Sequence, residues 1–147
     1  MFEHTKAFSG FSVDDVEQAK RFYAETLGVQ VSDEHGILTL HIAGATLIGE
    51  RRTLPRYRFY SVRDEFPALH PVAQSGQPVL GELYEVPMSQ LYGLLAREPP
   101  ELELSIVALE SGELSFGMIL RRGEREQAFT DITSYGGWRA YREARSL

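Results

Sequence analysis

The chain has 147 residues and no cysteine, which excludes disulfides and thiolate metal sites, and its length is typical of one domain with its own core. Its net charge of −6 gives it no general attraction to nucleic acid or to anionic membranes. No apolar run approaches the roughly 20 residues that span a bilayer, and no signal peptide is visible, so we expect a cytoplasmic protein with no nucleic-acid or membrane partner.

The first third of the chain predicts the order strand, helix, strand, strand. KAFSGFSV is predicted as a strand, and the following DDVEQAKRFYAETLG as an amphipathic helix. Asp15 is the expected N-cap of this helix, and Gly28 stands where a C-cap glycine belongs. VQVSDEHGILTLHIAG then predicts two strands joined by a turn at residues 34–36.

The middle of the chain does not repeat this unit. RTLPRYRFYSV (52–62) predicts a strand after a proline-marked turn, and EFPALHPVAQSGQPV (65–79) predicts a loop because it is rich in proline, glycine and polar residues. GELYEV (81–86) predicts a strand, and PMSQLYGLLARE (87–98) predicts a helix that begins near its proline.

The last third predicts a hairpin and a short terminal helix. ELELSIVAL and ELSFGMIL both alternate apolar with other residues, and ESGE (110–113) joins them. Trp138, after a glycine pair, is expected to anchor the terminal helix in the core. Two basic clusters, RRTLPRYR (51–58) and RRGER (121–125), are interpreted as solvent-exposed faces.

Residues 1–44 resemble the vicinal oxygen chelate superfamily, which includes the glyoxalase and bleomycin-resistance proteins. The resemblance lies in FSGFSVDDVEQAKRFYAETLG followed by GILTLHIAG. In that superfamily, two βαβββ units pair to form a cleft that often binds a divalent metal through His, Glu and Gln. Since no second unit is visible downstream, the resemblance implies that pairing would require a homodimer.

Residues 45–147 resemble the C-terminal domain of allophanate hydrolases, a relative of the γ-glutamyl cyclotransferases. The matching pieces are RTLPRYRFYSV, FPALHPV, GELYEVP, REPPELELSIVALESGE and DITSYGGWRAYREA. The resemblance implies an α+β fold with a curved, mainly antiparallel sheet or small barrel and two or three helices. The two resemblances meet near GATLIGE (44–50). We expect residues 1–147 to fold as one unit, because the first segment cannot cover both faces of its own sheet.

The second resemblance also implies a candidate catalytic residue. In the cyclotransferase family, a glutamate between a helix and a strand acts as general acid and base, and Glu98 occupies the matching position. The expected lining of its pocket is Tyr57, Tyr60, Glu82 and Tyr84. The alternatives are a surface glutamate near a helix C-terminus for Glu98 and a solvent-facing strand residue for Glu82.

One feature of the cyclotransferase family is missing. Its Tyr-Gly-Thr-Leu loop, whose backbone N–H groups hold the substrate carboxylate, does not occur in this chain. We therefore expect a recognisable pocket for a small-molecule substrate, with weak or absent cyclotransferase activity.

Metal and cofactor binding has little support in the sequence. The histidines, His4, His35, His41 and His70, are scattered, so we expect no tightly held metal and no cofactor. Three functions stay open. The chain is a cyclotransferase-like protein for a small amide or carboxylate, a glyoxalase-like dimer that binds a metal or small molecule, or a non-catalytic chimeric or accessory module.

Overall fold

The computed structural model describes residues 4–9, 30–34, 37–41 and 45–146. The strands of this part are β1 (His4–Ser9), β2 (Gln30–Glu34), β3 (Ile37–His41), β4 (Thr46–Arg52), β5 (Tyr57–Val62), β6 (Phe66–Pro71), β7 (Leu80–Pro87), β8 (Leu102–Ala108), β9 (Leu114–Leu120) and β10 (Thr130–Asp131). The α-helices are α1 (Met88–Leu95) and α2 (Trp138–Arg145), and short 3-10 helices occur at Glu126–Ala128 and Thr133–Tyr135. The helix predicted within residues 14–28 and the turn at residues 35–36 lie outside the described residues.

Most strands belong to one curled, mixed sheet. Its order is β10-β5-β6-β9-β1-β7-β4, with β8 also paired to β9. Strand β9 runs parallel to β1 and β6, while the other pairs are antiparallel. The sheet curls back on itself because Thr53, just after β4, bridges Leu109, just after β8. This bridge closes β4, β7, β1, β9 and β8 into a small barrel, which confirms the predicted α+β fold class.

The core lies mainly inside this curl. It contains apolar side chains from six strands and from α2, among them Phe8, Phe59, Leu83, Val107, Leu109, Ile119 and Trp138. Each fully buried large apolar side chain contributes roughly 1.5–3 kcal/mol. Trp138 is buried as predicted, and Gly136, at φ 68°, turns the chain into α2. A second cluster of Val62, Phe66, Ala68, Leu102 and Leu120 lies on the other face of the sheet.

Strand β1 connects the two segments distinguished in the sequence. It lies between β7 and β9, with Phe8 opposite Leu83 on one side and Gly117 on the other. The first segment thus supplies a central strand of the main sheet. The predicted pair of strands after it is confirmed, since β2 and β3 form a separate antiparallel pair from Gln30–His41 to Glu34–Ile37.

The prediction of a loop over residues 65–79 was wrong in part, because residues 66–71 form strand β6. Two prolines, Pro67 and Pro71, caused the error. Proline fits a strand where its missing N–H group is not needed. On the side of β6 away from β5, only Leu69 pairs with β9. Few backbone N–H groups on that side are therefore needed for sheet hydrogen bonds, and the prolines are tolerated.

The other predicted elements agree with the structure. Strand β7, helix α1, the β8–β9 hairpin with Gly112 in its turn and helix α2 all lie where the patterns place them. Helix α1 ends at Leu95, three residues before Glu98. No helix within the described ranges is both long and apolar enough to cross a membrane.

Candidate active site

Glu98 lies in the short connection between helix α1 and strand β8. After Leu95, the N–H of Glu98 still donates to the Leu95 carbonyl at 3.3 Å, so the chain makes one further turn. Pro99 and Pro100 then end the helical geometry, because proline removes the donor that a helix requires. The additional turn and the two prolines place Glu98 between helix and strand, at the position that the resemblance implied.

The sheet topology shows which other residues share this end of the molecule. Strand β9 is parallel to β1 and antiparallel to β8, so β8 begins at the end of the sheet where β1 finishes. Ser9, the last residue of β1, pairs with Glu82 of β7. Glu98 and Glu82 therefore approach the same end of the sheet.

The Glu98 carboxyl is half-buried, and among the described residues it has no hydrogen-bond or ion-pair partner. Burial disfavours its charged form and raises its pKa to about 7. At neutral pH, both the protonated and the ionised forms are populated. Glu98 can therefore donate or accept a proton near physiological pH, as a general acid and base must.

Glu82 and Tyr84 are brought together on one face of β7, as predicted. The Tyr84 hydroxyl donates a hydrogen bond to the Glu82 carboxylate. Burial, and next this hydrogen bond, raise the Tyr84 pKa well above its usual range, so Tyr84 stays protonated at neutral pH. The pair offers a fixed phenol and a carboxylate close to the end of the sheet that carries Glu98.

Tyr57 and Tyr60 do not join this group. Tyr57 packs in the barrel core, where its hydroxyl accepts the N–H of Ala108 at 3.0 Å. Tyr60 points to the opposite face of β5, with its ring edge-to-face with His70 at 6.2 Å between centroids. Three strands, β6, β9 and β1, separate β5 from the Tyr84 strand.

Arg121 is a residue near the site that the sequence reading missed. Arg121 is exposed, as predicted for its basic cluster, and its side chain also donates to the Pro100 carbonyl at 2.7 Å and to the Leu102 carbonyl at 2.9 Å. These two carbonyls flank Glu101 in the connection that follows Glu98. No sequence signal could have revealed these contacts, because they depend on how the β8–β9 hairpin pairs.

The part of the chain that the structure describes contains no group of three His, Asp or Glu side chains placed to hold a metal ion. The expectation of no tightly held metal thus stays a prediction for the whole chain.

Comparison with known proteins identifies the family. The sequence model of the allophanate hydrolase C-terminal domain matches residues 25–143, which includes the end of the segment with the glyoxalase-like resemblance. Urea amidolyases of Lachancea kluyveri and Saccharomyces cerevisiae are each 30% identical to this chain, over 69% and 71% of it. The chain spans only 6% of the length of these two relatives.

Solved structures give a matching fold. The allophanate hydrolase of Kluyveromyces lactis is 29% identical over 71% of this chain and 20% of its own, with a TM-score of 0.63. A uropathogenic E. coli-specific protein superposes with a TM-score of 0.70 at 21% identity, over 97% of this chain and 98% of its own. The fold thus occurs both as a part of long enzymes and over nearly a whole short chain, and this chain belongs to the allophanate hydrolase C-terminal domain family.

Proposed function

We propose that this chain is a cyclotransferase-like protein that binds a small carboxylated amide at the end of the sheet near Glu98. The observation that carries the proposal is the half-buried Glu98 carboxyl with its pKa raised to about 7. A carboxyl group with this pKa is matched to proton transfer at neutral pH. Its place between helix and strand is the one that a catalytic glutamate occupies in the resembling enzymes.

The substrate class follows from the family. The relatives in which this domain occurs include urea amidolyases and an allophanate hydrolase. We therefore infer a urea-derived carboxylated amide, such as allophanate, rather than a γ-glutamyl compound. The missing Tyr-Gly-Thr-Leu loop supports this choice, because a γ-glutamyl substrate would lack the backbone donors for its carboxylate, and the loss of one such donor costs roughly 10²–10³ in rate.

The proposed chemistry is a proton transfer to or from the amide nitrogen. Ionised Glu98 takes a proton from a water molecule as the water oxygen bonds to the amide carbon. The protonated carboxyl then gives this proton to the nitrogen as the carbon–nitrogen bond breaks, which releases ammonia and leaves a carboxyl group on the former amide carbon. Tyr84, held in its protonated form, gives its hydroxyl hydrogen to Glu82, so this pair offers the substrate acceptor oxygens for its amide N–H groups.

The test uses potassium allophanate and purified protein. Isothermal titration should show binding to the wild type, and ammonia release should fall strongly in Glu98→Gln. Glu110→Gln is the matched control, since Glu110 is exposed and lies in the distant β8–β9 turn. Absence of binding by the wild type, or equal turnover by Glu98→Gln, would contradict the proposal.

A second assay addresses γ-glutamyl peptides. We expect no release of 5-oxoproline above background from the wild type. Robust release that Glu98→Gln abolishes would show that the first segment supplies the missing carboxylate site, and the substrate class would then be γ-glutamyl.

Two alternatives remain, a glyoxalase-like protein that completes its cleft as a dimer and a non-catalytic chimeric or accessory module. The β2–β3 pair after β1 is compatible with the first alternative, whose fold unit has strands in this order. Metal analysis of protein purified without added metal separates the cases. Stoichiometric zinc, nickel or iron would favour the glyoxalase-like function, and an inert, metal-free protein that binds no allophanate would favour the accessory module.

A further inference from the structure

We propose that Arg121 is a positioning residue for Glu98, because it fixes the connection that joins Glu98 to strand β8. The inference rests on the proposed function only for its catalytic consequence. Its structural content, that Arg121 sets where the Glu98 carboxyl lies, stands on contacts within the protein.

Arg121 holds three consecutive carbonyl groups. Its Nε donates to the Pro100 oxygen at 2.7 Å, its Nη2 donates to the Leu102 oxygen at 2.9 Å, and its backbone N–H donates to the Glu101 oxygen at 2.7 Å. A guanidinium is planar and carries its donors at fixed angles. Its two hydrogen bonds therefore define both the distance and the orientation of this backbone segment relative to Arg121.

Two further hydrogen bonds restrain this connection. The Leu102 N–H donates to the Pro99 carbonyl at 3.0 Å, which closes a turn. The Glu101 carboxylate accepts a hydrogen bond from Arg63, in the hairpin between β5 and β6. The carbonyls of residues 99–102 therefore each accept a hydrogen bond, and the two prolines restrict the backbone next to Glu98.

The backbone has little conformational freedom between Glu98 and the residues to which Arg121 is hydrogen-bonded. Pro100, whose carbonyl Arg121 holds, lies two residues from Glu98, and the fixed φ of proline transmits the position of one residue to the next. On the helix side, the Glu98 N–H is tied to Leu95. The connection is thus held at both ends, and on the strand side Arg121 holds Pro100 and Leu102 while Arg63 holds Glu101.

Arg121 acts on Glu98 through position rather than through charge. A guanidinium close to the carboxyl would favour the ionised form and lower the pKa. The Glu98 pKa is instead raised, and burial is the cause. Releasing the connection should therefore expose the carboxyl to water and return its pKa toward the ordinary value of 4.5.

The experiment is a carboxyl ¹³C NMR titration of Glu98 in the full chain, with the resonance assigned by Glu98→Gln. The variants are Arg121→Met, Arg121→Lys and the matched control Arg122→Met, which removes the same charge from the adjacent, exposed arginine. We expect the Glu98 pKa to fall by one unit or more in Arg121→Met, to fall less in Arg121→Lys, whose ammonium can still reach one carbonyl, and to stay unchanged in Arg122→Met.

An unchanged Glu98 pKa in folded Arg121→Met would overturn the proposal, as would an equal fall in Arg122→Met. If Arg121→Met does not fold, the same titration of Arg121→Lys decides, since a folded lysine variant with the wild-type pKa also contradicts a positioning role. The readout needs no substrate. A lowered pKa together with no allophanate binding by the wild type would therefore reject the proposed function and leave the positioning role intact.

Discussion

Tyr141 of helix α2 donates its hydroxyl hydrogen to the carboxylate of Asp64, in the tight turn between β5 and β6. Arg145 adds an ion pair to the same carboxylate at 2.9 Å. Asp64 itself has a positive φ of 58°, a conformation that costs energy for a residue other than glycine. The contact between Tyr141 and Asp64 thus stabilises both the docking of the terminal helix and the shape of the turn.

Replacing Tyr141 with phenylalanine should lower the free energy of unfolding by about 1–2 kcal/mol at pH 7, because the hydrogen bond goes to a charged group. The Tyr141 hydroxyl is the main cause that lowers the Asp64 pKa. A lowered pKa stabilises the fold above the ordinary Asp value of 3.8, and this contribution is lost as pH falls through the lowered value.

Urea unfolding of the wild type and Tyr141→Phe at pH 7 and at pH 2.5 checks this prediction. The difference between the proteins should shrink at the lower pH. Tyr92→Phe serves as the control, since Tyr92 is 82% exposed and should show no difference at either pH. An effect of Tyr141→Phe that is equal at both pH values would contradict the assigned role of the hydroxyl.

Glu98→Gln should stabilise the protein at alkaline pH. The pKa of Glu98 is about 7 in the folded state against an ordinary value of 4.5, so the folded state holds the proton more tightly than the unfolded state. This penalty on the charged form is absent below about pH 4.5, grows as pH rises and is complete above pH 7. Glutamine has no charge to bury, so it avoids the penalty.

We expect Glu98→Gln to be more stable than the wild type by about 1–2 kcal/mol at pH 8 and equal to it at pH 4. Chemical unfolding at both pH values, with Glu110→Gln as the exposed control, measures the difference. A glutamine variant that is no more stable at pH 8 would show that Glu98 is well solvated, and its proposed acid and base role would lose its main support.

Local patterns were sufficient to predict much of the fold. The β8–β9 hairpin, strand β7, helix α1 and the burial of Trp138 follow from alternation, from Pro87 and from the glycine pair, all of which act over a few residues. Strand β6 was missed because its pairing with β5 outweighs the local signal of its prolines. The failure shows a tertiary contact that overrides propensity.

The candidate site could be predicted only in part. The pairing of Glu82 with Tyr84 follows from their separation by two residues in a strand. The same rule separates Tyr57 from Tyr60, three residues apart, onto opposite faces, and applying it would have removed one of them from the proposed pocket. The hydrogen bonds from Arg121 to the connection after Glu98 could not be predicted, because they join residues about twenty positions apart that only the pairing of the hairpin brings together.

Gly117 should tolerate no side chain. A Cβ atom at this position would lie 2.5 Å from Cγ2 of Val107, which is fully buried. Gly117→Ala should therefore destabilise the fold by roughly 1–3 kcal/mol through overpacking. In the matched change Gly93→Ala, a Cβ meets nothing within 4 Å and helix α1 gains propensity, so stability should rise by up to about 1 kcal/mol.

Thermal unfolding followed by circular dichroism separates these two glycine variants. Opposite shifts of Tm are expected. A Gly117→Ala protein with an unchanged Tm would mean that Val107 can repack, and that the inside of the barrel is looser than its burial indicates.

The chain should fold as one cooperative unit. Strand β1 lies between β7 and β9, so a chain cut between Gly44 and Ala45 would leave two unpaired edges in the remaining sheet. We expect residues 45–147 alone to be insoluble or unfolded, and to recover structure when the first segment is added. If both pieces prove soluble and folded separately, by NMR dispersion and sedimentation, the single-unit prediction is wrong.

The β8–β9 hairpin carries a surface suited to association with a second copy of the chain. Along the outer face of the β8–β9 hairpin, Ile106 and Leu114 are 52% and 65% exposed. In the described chain, residues 102–107 of β8 pair with β9 alone, which leaves the other edge of this part of the strand open. An open edge beside apolar side chains favours pairing with a second copy, so we expect a homodimer.

Light scattering at high micromolar concentration should give twice the chain mass of 16.6 kDa. Replacing Ile106 and Leu114 together with lysine should yield the monomer, while Gln90→Lys, an exposed polar change on α1, should leave the dimer intact. A wild-type protein that stays monomeric refutes the dimer, and a dimer that survives the double lysine variant excludes this edge as its interface.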